Sequence, residues 1–123
     1  MLIVDPDEAA RDLYGNWFTS MGYTVMCAAA VDGACWAVKR HRPDVIVTEL
    51  ALRRSTGVEL LRVLHRPFEP PIPVLVMTRS TDRALMADAR DAGAVAVVPK
   101  HTGFDELHTW VRALTEWVAH SSG

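Results

Sequence analysis

The sequence predicts an α/β domain in which a five-stranded parallel sheet is wrapped by helices on both faces, and three observations carry that prediction. Short Val- and Ile-rich runs recur at intervals of roughly 20 to 25 residues, without the strict polar alternation of a half-exposed strand. Stretches with helical apolar spacing lie between them. Glycine and proline mark most of the junctions. Five βα units in a row favour right-handed crossovers and hence a parallel sheet.

The apolar runs occupy 2–4, 23–27, 45–47, 72–77 and 94–98. In the first helix Leu13, Trp17 and Met21 repeat at i, i+4, i+8, and Gly22 follows as a stop. Val31, Ala34, Cys35 and Val38 give the second helix its inner face, and Pro43 ends it. Val58, Leu61 and Leu64 mark the third helix, after which the proline-rich segment 67–73 leads into the fourth strand. Ser80 or Thr81 caps the fourth helix, Leu85, Met86 and Ala89 line it, and Gly93 closes it. Leu107, Val111, Leu114 and Val118 form the face of the last. With no linker, repeat or low-complexity tract, residues 1–123 read as a single domain.

Length and composition fit that reading. A chain of 123 residues buries roughly two-thirds of its unfolded surface and requires no disulfide or metal staple. Thirteen basic and fifteen acidic side chains are spread along it for a net charge of -2, which gives no electrostatic case for DNA, RNA or an anionic membrane. Cys27 and Cys35 have neither CxxC nor zinc spacing and read as buried, reduced thiols. The N-terminus has no basic n-region, and no segment reaches the ~20 apolar residues of a membrane span, so a cytoplasmic location is expected.

Ligands of open parallel sheets gather at the C-terminal strand ends. There the sequence places Asp5, Glu49, Thr78 and Lys100, after the first, third, fourth and fifth runs. Paired carboxylates of this kind hold a hard cation such as Mg²⁺, with water and backbone carbonyls completing the shell. A lysine and a threonine opposite bind phosphoryl oxygens.

With these residues the chain resembles, over essentially its whole length, the receiver domains of two-component response regulators. The matching segments are the first strand ending in Asp5, the run Asp44-Val-Ile-Val-Thr-Glu49-Leu50, the strand ending in Thr78, Gly93-Ala94 leading to Lys100, and Gly57 eight residues beyond Glu49. The resemblance implies a flavodoxin-like (CheY-like) sheet of order 2-1-3-4-5 and a signalling domain, not an enzyme. It makes Glu49 the phosphoacceptor equivalent, Thr78 and Lys100 the switch and phosphate-binding equivalents, and Asp5 with Asp7 the acidic pocket. Asp5, Glu49 and the carbonyl of Ala51 are the metal candidates. The implied partners are a sensor histidine kinase or a downstream signalling protein. A homodimer through the fourth helix, fifth strand and fifth helix is also implied, with Trp110 and Trp117 as interface candidates.

Departures from the family pattern cluster at this one site. Glu49 stands where the family has Asp, Pro6 where it has its second acid, Val97 at the aromatic switch position, Arg79 at a usually small position, and His101 where proline usually follows the lysine. Glu49 extends its carboxylate by roughly 1.3 Å into space a phosphoryl group or metal would share. Misplacement by about an ångström costs phosphoryl transfer ~100-fold. The expectation is therefore weak or absent Mg²⁺ binding, no other cofactor, and signalling by protein contact without phosphorylation.

The alternatives are a conventional Mg²⁺-dependent receiver, a passive scaffold, a flavodoxin-like cofactor binder and a metal-dependent phosphatase. The acidic stretch Asp5-Pro6-Asp7-Glu8 would repel a cofactor phosphate, and the phosphatase needs an Asp nucleophile. Arg53 and Arg54 lie beside the pocket as a solvated pair or an anion lure. The five histidines, His41, His65, His101, His108 and His120, have no metal-binding spacing.

Overall fold

The structure, a computed structural model, describes residues 1–65 and 72–121, with side chains over 1–64 and 72–116. The elements in chain order are β1 (Leu2–Val4), α1 (Glu8–Ser20), β2 (Met26–Ala28), α2 (Val31–His41), β3 (Ile46–Glu49) and β4 (Ala51–Leu52). They continue with β5 (Ser55–Thr56), α3 (Gly57–His65), β6 (Val74–Thr78), α4 (Arg83–Asp91), β7 (Ala96–Pro99) and α5 (Phe104–Ser121). Strands β2-β1-β3-β6-β7 form one sheet, all parallel. This is the expected 2-1-3-4-5 order, interrupted in sequence only by the small antiparallel β4–β5 ribbon. Two-residue strands joined by Arg53-Arg54, with Arg54 at φ 59°, carry none of the Asn-Gly or Asp-Gly signals that announce a hairpin.

Alternate residues of each central strand enter opposite cores. Leu2, Val4, Ile46 and Val76 pack with Ala34, Val38, Leu60, Leu64 and Ala89, which places α2, α3 and α4 on one face. Ile3, Val47, Leu75 and Met77 pack with Phe18, Leu107 and Val111, which places α1 and α5 on the other. A strand covered on both sides has no solvent face to make polar, which explains the unbroken apolar runs.

Several expectations are corrected. The inner face of α1 is Tyr14 and Phe18, one position on from the predicted stripe, while Leu13 is 57% and Met21 48% exposed. Trp17 lies between the two, stacked on Phe104 at 4.9 Å. The cap of α4 is Asp82, which accepts from the backbone N–H groups of Ala84 and Leu85. Ser80 sits two residues before it, its hydroxyl accepting from Asp82 N. Cys27 is exposed and Cys35 half-buried, because β2 is an edge strand and only Ala28 of its three residues is buried. Both thiols are free. Gly22 and Gly93 end α1 and α4 as expected, at φ 96° and 114°. Of segment 67–73 only Ile72 and Pro73 fall among the described residues, and the side chains of His65, Trp117, Val118 and His120 lie outside them. No described helix is long and apolar enough to cross a membrane.

Candidate functional site

The sheet order reverses between β1 and β3, and Asp5 and Glu49 stand at the C-terminal ends of those two strands. Thr78 ends β6 and Lys100 directly follows β7. Parallel register brings the four ends to one edge of the sheet, as the residue order predicted.

There a single ammonium is held between two buried carboxylates. Lys100 Nζ donates to Asp5 Oδ2 at 2.6 Å and lies 3.0 Å from Glu49 Oε2. The three side chains are 10%, 2% and 8% exposed, so water screens the contacts poorly. The approach to Glu49 is an ion pair without hydrogen-bond geometry, and Glu49 Oε2 is left buried with no hydrogen-bond partner. Burial alone would lower the Lys100 pKa, but the contacts with Asp5 and Glu49 outweigh it and hold the ammonium above the ordinary lysine value.

A raised folded pKa contributes stability that is complete below the unfolded value of about 10.4 and is lost as pH rises through the folded value. Chemical denaturation from pH 9 to 12 should therefore show the wild type losing stability above the lysine range more steeply than Lys100→Arg, whose guanidinium does not titrate there. Tyr14, whose phenol burial pushes up while the charge at position 100 pulls it down, is removed from the comparison by placing Tyr14→Phe in both proteins. Equal slopes would remove Lys100 as the cause.

The surrounding backbone fixes the two acids. Asp5 Oδ1 accepts from Asp7 N at 2.9 Å, and Asp5 O accepts from Arg11 Nη1 at 2.8 Å. At the end of β3, the buried Thr48 hydroxyl donates to Glu49 O. A Cβ on Gly57 would come within 3.1 Å of that same carbonyl, a close approach that glycine alone makes without displacement. Thr78 is buried, and its Oγ1 accepts from Ser80 N at 2.9 Å. The Tyr14 hydroxyl donates to Lys100 O at 3.4 Å. Arg11, Tyr14 and Thr48 were not singled out in the sequence. The only signal for the first two was their i, i+3 spacing, which puts them on the same side of α1.

Other candidates fall elsewhere. The carboxylate of Asp7 is exposed and caps α1 by accepting from Ala9 N, so Asp7 enters the pocket only through its backbone N–H. Arg53 and Arg54 are exposed on the β4–β5 turn, and Ala51 is exposed in β4. Val97 is half-buried on β7, and Trp110 is half-buried against the core of the α1–α5 face. Among the described residues no group of three His, Cys, Asp or Glu side chains could hold a metal.

The acidic donors are few and lie against Lys100. Asp5 has both oxygens engaged, Glu49 Oε2 faces the ammonium, and Pro6 offers no carboxylate. Two carboxylates and one ammonium leave a single net negative charge.

Comparison with known proteins gives the family and the fold. A family model described as "Response regulator receiver domain" matches residues 1–112. The transcriptional regulatory protein KdpE of Mycobacterium tuberculosis (strain ATCC 25618 / H37Rv) is 34% identical over 113 residues, 92% of this chain and 49% of that protein. The response regulator MprA of Mycobacterium leprae is 33% identical over 114 residues, 93% and 50% of the two. The chain thus spans about half the length of the curated relatives it matches. Among solved structures, a CheY-like response regulator receiver domain protein from Methanospirillum hungatei superposes with a TM-score of 0.91 at 22% identity, covering 98% of this chain and 95% of that one.

Proposed function

The chain belongs to the response regulator receiver domain family, and from that premise we propose that it signals by protein contact without being phosphorylated. The observation that carries this reading is the pairing of Glu49 with Lys100, 3.0 Å apart at the position where the family resemblance places a phosphoacceptor. A phosphoryl group on that acceptor would bring negative charge to the lysine, and the longer Glu carboxylate brings its own. The switch is then occupied from within, and the surface the domain presents is one state instead of two.

The same donor set supports weak or absent Mg²⁺ binding. In line-transfer chemistry the metal neutralises the developing charge, so a site that excludes it also loses the reaction. The domain has no catalytic role in this reading. It works in the cytoplasm, with a sensor histidine kinase or a downstream signalling protein as its partner. A second copy bound through α4, β7 and α5 is the homodimer the reading includes, and Trp110 and Trp117 are its interface residues.

Acetyl phosphate with excess Mg²⁺, followed by intact-mass and peptide mass spectrometry, tests the reading. The expected result is an unmodified chain. A stable Mg²⁺-dependent adduct on Glu49 would defeat it and restore a conventional phosphoacceptor.

A further inference from the structure

A cleft of about 410 Å³ opens beside the pocket, between the β6–α4 connection and β7. Met86, Val97 and Pro99 give it apolar surface, while Arg79, Arg83 and His101 bring nitrogen-bearing groups to the same lining. No lining residue is acidic, in a chain where acids outnumber Lys and Arg by 15 to 13. Neither guanidinium makes an ion pair among the described residues, and both side chains are exposed. The nearest carboxylate in sequence, Asp82, is turned onto the N-terminus of its own helix, where it accepts from Ala84 N and Leu85 N. It is therefore not aimed at the arginines.

Two unpaired guanidiniums beside a half-enclosed apolar wall form the usual lining of a small-ligand site, mostly apolar with a few convergent polar groups. The volume falls within the roughly 300–1,000 Å³ typical of such sites. Arginine forks select planar oxyanions, which they bind in a bidentate manner. We propose that this cleft binds a small amphiphilic anion, an aromatic or compact apolar body carrying a carboxylate or phosphate. The body packs on Met86 and Val97, and the anionic head meets Arg79 and Arg83. Val97 keeps the cleft open, since a larger side chain on β7 would fill it.

Because Arg79 directly follows the buried Thr78 and Arg83 opens α4, an occupant would fix the segment that leaves the pocket. The inference does not depend on whether Glu49 accepts a phosphoryl group.

The test uses 2-naphthoate as the probe, with its uncharged amide as the control, in a ¹H–¹⁵N NMR titration of the full chain. Saturable shifts should concentrate on residues 78–86 and 96–101, with a Kd at or below roughly 1 mM, as ordinary ligand efficiency gives for a dozen heavy atoms. Arg79→Ala with Arg83→Ala should weaken naphthoate at least about tenfold. The amide should bind the wild type more weakly by a similar factor. Val97→Trp, with unchanged shift dispersion elsewhere, should abolish saturation. Absence of saturable shifts, shifts confined to another face, or equal affinity for acid and amide would each overturn the proposal. The double arginine variant changes only exposed side chains, so its folding is not at issue.

Discussion

Lys100→Met should lower stability at pH 7 by about 3–5 kcal/mol, because it leaves two buried carboxylates facing each other with no cation between them. For a domain of this size that is a fall in Tm on the order of 10 °C or more. The loss is large because Asp5 and Glu49 are 1% and 6% exposed, so neither charge can be rehydrated without opening the end of β1 or β3. Methionine keeps the unbranched stem, which confines the change to the ammonium. Two further measurements separate electrostatics from packing. Acidification should narrow the gap to wild type, because protonating either carboxylate removes the like-charge contact. Adding Asp5→Asn and Glu49→Gln to Lys100→Met should recover much of the loss, since an uncharged site of similar volume has no buried charge to compensate. Melting of Lys100→Met at the wild-type temperature at pH 7 would show that the ammonium is not the structural centre of the pocket.

The sequence made the strand ends legible for a physical reason. A strand buried on both faces is an unbroken apolar run, so the first polar residue after it marks the sheet edge; Asp5, Thr78 and Lys100 were found in that way. Glu49 lies one residue past that mark, because Thr48 is the first polar residue after the third run, and it stood out against the family pattern. The face of α1 was misplaced because Leu13, Trp17 and Met21 mimic the repeat of Tyr14 and Phe18 one residue out of phase. Only the position of the sheet decides between two such stripes. The start of α4 was blurred because Ser80, Thr81 and Asp82 are all good caps in succession. Cys27 looked buried because an edge strand and a central strand share the same local pattern, and their difference lies in the topology. The charge network was only half legible. Residue order brought Lys100 near both acids, but that one ammonium would contact both, leaving Glu49 Oε2 without a hydrogen bond, is a matter of side-chain reach.

Reversing the two acidic departures should restore chemistry if they are what removed it. Glu49→Asp withdraws the carboxylate by roughly 1.3 Å from Lys100, which reopens space at the end of β3. Pro6→Asp adds a second acid beside Asp5, on the segment just before α1, where Asp7 continues to cap the helix and its N–H continues to brace Asp5. Together they give three carboxylates around one ammonium, a net charge that invites a divalent cation where the native set does not. The double variant should bind Mg²⁺ and react with acetyl phosphate at least ~100-fold faster than the wild type, the scale that about an ångström of misplacement costs such a transfer. Intact-mass time courses with and without Mg²⁺ give the rates. Glu49→Asp alone should gain little, because the metal still lacks its second acid, and Pro6→Asp alone should bind metal without forming an adduct. A folded double variant that stays inert would locate the block outside the acids, at Arg79, Val97 or His101, the remaining departures, all three of which line the neighbouring cleft.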